Sequence, residues 1–248
     1  SWQDVYHFVF LPVYQENYSV VSGCIEGLLK ANYPKSKMAV VLSWEERAGV
    51  ETENMVKEIE KNYKNFFYEF TVIKHPAGLS GEMPGKGSNM AYAARFAKDN
   101  IVDLRDIPYD HILVSNFDVD TIVSPEYFGI LTHTFLTSEK PLRASYQPIP
   151  LYVNNIWEAP SIARVVAFSA TFWHTIKQEK SETATTFSSH SMPWQALVDV
   201  SFWQKNMVSE DSRIFWQCFL RYDGDYRVAP LYYPVSMDAN VAPSFWVT

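Results

Sequence analysis

Two carboxylates, Asp118 and Asp120, stand one residue apart just after the apolar run Ile112-Leu113-Val114. An Asp-x-Asp tripeptide is common, and on its own it reads as a turn cap. Its place here, at the carboxyl end of a run of branched residues, argues for more. Asp is depleted in strands, and two ionised groups this close repel unless a cation or several donors hold them. A hard divalent ion wants oxygen ligands and often shares them with substrate phosphates. The loop from His75 to Asn89 is the second candidate, with four glycines around Lys86 at the start of a helix. Backbone N–H groups, a lysine and a helix N-terminus make a phosphate cradle; the competing reading is a plain surface loop. The spacing is not that of a Walker A motif, because Gly87 replaces the Ser/Thr. His190 closes a Ser/Thr-rich stretch, either to touch a metal or an acceptor or to serve as a structural hydrogen-bonder. Glu210-Asp211 follow Ser209, and two acids in the first turn of a helix interact favourably with its dipole.

These residues need a scaffold, and the hydrophobic pattern supplies one. Residues 5–14, 38–44 and 67–74 read as strands, and helices are predicted over about 18–31 and 51–65 between them. A third helix is predicted from Asn89 to Lys98. Ser124-Pro125 is a helix-start signal for a fourth, to about Thr137. Strands at 142–147 and 226–233, long amphipathic helices within 150–190, a stretch from Trp194 to Gln204 and a helix from Ser209 to Leu220 complete the reading. The fold class is α/β, with a mostly parallel central sheet and helices on both faces. Ligands of such sheets gather at the carboxyl ends of the strands. Glu16, Glu45-Glu46, the loop after His75 and the Asp118/Asp120 pair should therefore share one rim.

The chain has 248 residues, 47% hydrophobic, enough for one large domain with a sizeable core. Its net charge of −7 argues against nucleic acid as a partner. Eight Trp and fifteen Tyr suit either carbohydrate and membrane contacts or simply a large core. Cys24 and Cys218 give neither a disulfide framework nor a zinc spacing, so two buried free thiols are expected. No signal peptide and no long apolar run appears. The aromatic end, Asn240 to Thr248, nonetheless has the look of a boundary just ahead of a membrane segment, and a domain excised from a longer membrane protein is expected.

Taken in order, Pro12-x-Tyr14-x-Glu16, Gly85-Lys86-Gly87-Ser88-Asn89, Asp118-x-Asp120 and Glu210-Asp211 resemble the motifs of the GT-A catalytic domain of family 2 glycosyltransferases. That inverting group includes the cellulose and hyaluronan synthases, and the similarity spans about residues 5 to 235. The resemblance implies one GT-A domain over 1–248, a nucleotide-sugar-binding half (1–123) and an acceptor and catalytic-base half (124–248). It implies that Pro12, Tyr14, Glu16, Glu45, Lys86, Asn89 and Asp118 contact the donor. Asp120, with Asp118, would hold Mn2+ or Mg2+, and Asp211 would be the base, with Glu210 or His190 near the acceptor or metal. The reaction implied is direct displacement of a nucleoside diphosphate from a sugar by an acceptor hydroxyl.

The text departs from the family at Ser43-Trp44-Glu45-Glu46, where base-gripping Asp residues are usual. The base is thus left open, UDP being favoured over GDP. The Gln-x-x-Arg-Trp motif of processive synthases is absent from the chain. The partners implied are a nucleoside-diphosphate sugar, a carbohydrate or lipid-linked acceptor, and a membrane reached through segments outside this chain, with the catalytic domain facing the cytoplasm. Two other readings stand beside it. A sugar nucleotidyltransferase would carry its glycine loop after the first strand, where this chain has Gln15-Glu16-Asn17. A non-catalytic sugar-nucleotide-binding module would account for the altered second-strand segment.

Overall fold

The computed structural model describes residues 1–241. Residues 242–248, most of the aromatic end, lie outside the described residues. Strand β1 (Tyr6–Val13) leads to helix α1 (Tyr18–Lys30), β2 (Met38–Glu45), α2 (Val50–Tyr63) and β3 (Glu69–His75). Helix α3 (Lys86–Ala97) then precedes β4 (Ile112–Asn116), the two-residue β5 (Ile122–Val123), α4 (Tyr127–Thr137) and β6 (Ala144–Tyr152). The chain continues through α5 (Ser161–Gln178), β7 (His190–Pro193), α6 (Trp194–Asp199), α7 (Glu210–Arg221) and β8 (Arg227–Met237).

All eight strands join one sheet in the order β3-β2-β1-β4-β7-β6-β8-β5, which runs through both halves of the chain. The first four are parallel, β7 runs against β4 and β6, and β5 runs against β8. Alternation along β1 divides the core: Val9, Leu11 and Val13 face one layer, Phe8 and Phe10 the other. Val21, Ile25 and Leu28 of α1 and Val56 and Ile59 of α2 cover the first face, with Phe128 and Leu131 of α4. Met90 and Ala94 of α3, Trp194 and Leu197 of α6, and Ile214 of α7 cover the second. Helices thus lie on both faces, as the α/β reading requires. Cys24 and Cys218 are buried and free. Among the described residues no helix is long and apolar enough to cross a membrane.

The strand order reverses between β1 and β4, since β2 and β3 lie to one side of β1 and β4 to the other. At such a switch point the connections diverge and a crevice opens beyond the carboxyl ends of the strands. Pairing of β4 with β1 ends at Phe10 opposite Asn116, and Phe117 N–H donates to Phe10 C=O at 3.1 Å. Pro12, two residues on, points its ring nitrogen to that same side, where β4 no longer runs. A proline is tolerated in this central strand because the missing N–H has no partner to lose.

Three expectations need correction. Helix α3 starts at Lys86, three residues before Asn89, so Lys86 stands in its first turn. Gly85 (φ 150°) takes the cap position without a side chain, so no Ser/Thr/Asn/Asp signal marks the start. Helix α4 starts at Tyr127, because Ser124 gives only its carbonyl to Tyr127 N–H and Pro125 C=O accepts instead from Asn32. Within 150–190 there is one long helix, α5, and its large apolar residues face outward. The stretch from Trp194, whose type the sequence left open, is helical to Asp199; Ser201 (φ 61°) and Phe202 (φ 71°) then take left-handed backbone that ends the turn.

Candidate active site

A cavity of about 660 Å³ opens at the switch point. Its walls carry Pro12, Tyr14 and Glu16 from the β1–α1 turn, Glu45 from the end of β2, Lys86 and Asn89 from α3, and Asp118 and Asp120 from beyond β4. Eight residues singled out in the sequence therefore meet in one space. The predicted rim is divided: Glu46 and the loop after His75 line a smaller neighbouring cavity, and Glu45 belongs to both.

Each wall is fixed by short-range chemistry. Glu16 accepts from Tyr14 N–H at 2.7 Å and so shapes the turn. Asn17 caps α1 by accepting from Val20 N–H. Glu45 is held from both oxygens by Arg47, at 2.6 and 3.0 Å, while the Arg47 guanidinium lies 4.2 Å from the Tyr14 ring. Arg47 was not singled out in the sequence, yet it holds Glu45 and Tyr14 together. Asn89 donates to Ser43 C=O at 3.1 Å and keeps its own Oδ1 buried without a partner.

The charges concentrate on Lys86. Its Nζ is 2.7 Å from Asp118 Oδ1, 3.1 Å from Asp211 Oδ1 and 3.5 Å from Glu210 Oε1. Burial works against the lysine charge, but Asp118, Asp211 and Glu210 outweigh it and raise the Lys86 pKa. Gly87 makes this meeting of α3 and α7 possible. A Cβ there would come within 2.9 Å of Gln204 C=O and 3.1 Å of Glu210 Cβ.

The acids sit in unlike surroundings. Burial pushes Asp118 up, yet the Lys86 charge wins and holds it below its ordinary value. Its Oδ2 accepts from Ser188 Oγ at 2.6 Å, and its N–H donates to Ser189 Oγ. Ser188 takes left-handed backbone (φ 45°) to reach it, a conformation uncommon for a non-glycine residue. Asp120 is the opposite case: burial, and then the nearby Asp118 charge, raise it to about 6. Its Oδ2 accepts from Asp238 N–H at 3.1 Å, while Oδ1 is buried without a partner. Glu210 is raised to about 7 by burial and by Asp211, against the pull of Lys86. Its side chain is only 5% exposed, against 25% for Asp211. Asp211 Oδ1 also accepts from Asn116 Nδ2 at 3.2 Å, and Thr186 Oγ donates to its backbone carbonyl.

Glu210 and Asp211 stand behind the cavity wall and meet it through Lys86, and His190 also lies outside it, on β7 beside Asn116. His190 is fully buried, and burial lowers its pKa despite the nearby Asp211 charge. Nδ1–H donates to Ser188 C=O at 2.9 Å, leaving Nε2 an unpaired acceptor. Among the described residues no three His, Cys, Asp or Glu side chains are grouped to hold an ion by themselves. A divalent ion nevertheless fits the donor set. The orphaned Asp120 oxygen and its Asp118 neighbour can supply one or two carboxylates, with bound phosphates completing the shell. Both Asp118 oxygens have protein partners, so Asp120 is the principal ligand on offer.

Several residues of the site carried no readable signal. Ser188 and Ser189 were visible only as part of a Ser-rich run, and Asn116 only as a strand end. Tyr152 and Met237 reach the cavity from β6 and β8, and Asp238 from just past β8, far away in the sequence.

No family profile and no curated protein matches the chain. Solved structures do. A mannosyltransferase of Pyrobaculum calidifontis, solved with GDP-Man and Mn2+, superposes with TM-score 0.63 at 13% identity over 96% of this chain and 58% of that one. S. aureus TarS 1–349, solved in complex with UDP-GlcNAc, superposes with TM-score 0.60 at 13% identity over 98% and 61%. The chain thus spans about three fifths of the length of these neighbours. Likeness at this identity speaks for architecture, and the architecture is the GT-A type α/β fold of these glycosyltransferases, built around a mostly parallel sheet.

Proposed function

We propose that this domain transfers a sugar from a nucleoside-diphosphate sugar to an acceptor hydroxyl, with inversion. The observation that carries the reading is the convergence of Asp118, Glu210 and Asp211 on Lys86, which lines the cavity together with Asp118 and Asp120. Neighbours solved with GDP-Man and with UDP-GlcNAc support the donor class and leave the choice of base to experiment.

On this reading Pro12 to Glu16 and the Glu45–Arg47 pair border the nucleoside end of the cavity. Lys86 places positive charge where charge grows on the departing diphosphate. An Mn2+ or Mg2+ ion on Asp120, when bound, adds Lewis-acid stabilisation of the same charge. Asp211 takes the proton from the acceptor hydroxyl as its oxygen attacks the anomeric carbon. Access decides between the two acids of the motif: Asp211 is the more exposed, and Glu210 is buried. Lys86 and Asn116 hold Asp211 Oδ1, fixing the direction in which the carboxylate faces. One base opposite the leaving group gives inversion without a covalent intermediate.

The test compares Asp211→Asn with Glu210→Gln, following labelled sugar transfer and nucleotide-dependent thermal stabilisation together. Asp211→Asn should bind UDP or GDP as the parent does and transfer about 10²–10⁴-fold more slowly. Glu210→Gln should keep more activity. Transfer by Asp211→Asn at the parental rate removes the base and the inverting reading with it.

A further inference from the structure

Helix α5 is turned inside out. Toward the protein it presents small and polar residues: Ala167 is buried, Thr171 Oγ accepts from Tyr152 N–H, and Gln178 bridges Gln147 C=O and Tyr232 N–H. Toward solvent it presents Val165 (66% exposed), Phe168 (76%), Phe172 (61%) and Trp173 (58%), joined by Ile162 and Val166. Contiguous apolar surface of this kind marks an interaction site. We propose that α5 is a docking surface for a lipid bilayer carrying anionic headgroups, lying in the plane of the interface. This goes beyond the sugar-transfer reading and does not depend on it.

Charge identifies the occupant. The chain is acidic overall, at −7, yet the eighteen residues of α5 contain Arg164 and Lys177 and no acid. Glu158 and Glu179 stand just beyond its ends. Each cation sits beside a tryptophan: Arg164 lies 5.8 Å from the exposed Trp157 ring and Lys177 5.8 Å from Trp173. Tryptophan with a basic partner at both ends of an apolar face is the makeup of a headgroup-level anchor. A twofold contact between copies of this chain through α5 would set cations against a helix with no acid to answer them. The helix is not long and apolar enough to cross a membrane, so its contact with a bilayer would be in the plane of the interface. Thr171 ties it to Tyr152 of the cavity wall, so a bilayer on α5 would lie close to the cavity.

The experiment floats the 248-residue chain with vesicles of phosphatidylcholine, with and without phosphatidylglycerol, without donor or acceptor. The parent should float, and more strongly with phosphatidylglycerol. Phe168→Ser/Phe172→Ser/Trp173→Ser should lower partition about tenfold or more, with circular dichroism unchanged. Lys177→Gln, a mild change that keeps the apolar face, should cut the preference for anionic vesicles. Leu220→Ser, at an exposed apolar position on α7, should change nothing. A parent that floats with neither vesicle overturns the proposal, as does a triple variant that floats like the parent. Self-association lost in the triple variant, with no vesicle binding, would assign the face to a second copy instead. Because no nucleotide enters the assay, failure here and failure of sugar transfer are separate results.

Discussion

Replacing Lys86 with Met keeps most of the volume and removes the one cation that three carboxylates share. A unit-charge pair 4 Å apart is worth about 4 kcal/mol at an effective dielectric of about 20, and all three oxygens stand closer than that. Repulsion among the acids and the desolvation of the lysine offset much of this sum. The better scale is the loss seen when one partner of a buried pair is removed, about 3–5 kcal/mol. The loss should also depend on pH. Glu210 is raised in the fold above its ordinary 4.5, so between 4.5 and about 7 the folded state holds the extra proton, and stability from this group falls as pH rises through that window. Lys86 limits the rise. Without it the folded pKa climbs, the window extends upward, and the variant should lose about 1.4 kcal/mol more per pH unit above about pH 7, where the parent is level in this respect. Urea unfolding of parent and Lys86→Met at about pH 7 and about pH 8, followed by tryptophan fluorescence, measures both effects. Lys86→Met/Glu210→Gln should recover part of the stability and lose the added slope. A loss below about 1 kcal/mol, or one equal at both pH values, refutes the shared-cation account.

Further outcomes follow from other sites. Asp120→Asn should unfold at equal or higher urea than the parent, since a buried carboxylate raised to about 6 is held against its preference. It should also lose the Mn2+-dependent part of stabilisation by nucleoside diphosphate, the whole of which, for a ligand at a hundredfold its Kd, is about 2.7 kcal/mol. His7 is fully buried, its pKa lowered to about 3 by burial, with Nε2 bonded to Thr132 Oγ. Its contribution is complete above the unfolded value of 6.5 and is lost as pH falls towards 3, by up to about 1.4 kcal/mol per unit. His7→Gln should flatten that part of the urea-midpoint profile. Gly87→Ala puts a methyl 2.9 Å from Gln204 C=O, and denaturant titration should show a loss of about 1–3 kcal/mol.

The first half of the chain was legible because each element obeys one period. Val9, Leu11 and Val13 alternate with Phe8 and Phe10, and α1 repeats at Val21, Cys24, Ile25 and Leu28. The rim could then be read from topology, and the Asp118/Asp120 pair falls where a parallel sheet puts its ligands. What escaped depends on partners distant in the sequence. Strand β7, His190-Ser191-Met192-Pro193, looks like a loop, yet it is buried because β4 and β6 take its two edges. Strand β5 has two residues and exists only through its pairing with β8. The start of α3 was missed because a glycine with no side-chain cap begins it. Periodicity placed apolar residues on α5, but it could not say that the protein covers the opposite face. The Lys86 cluster was invisible too: 125 residues separate Lys86 from Asp211.

The proline in β1 has a consequence for how the crevice survives. Parallel strands side by side tend to extend their pairing, and a gap between two of them is bordered by groups ready to close it. Beyond Phe10 the next group on that flank of β1 would be the N–H of residue 12, and proline has none. The chain past Asn116 therefore finds no donor there to lengthen the ladder and turns away through Phe117 and Asp118. The opening is kept by a subtraction: one missing hydrogen denies the sheet its next rung. Restoring that hydrogen would offer the molecule a more regular sheet in place of a cleft.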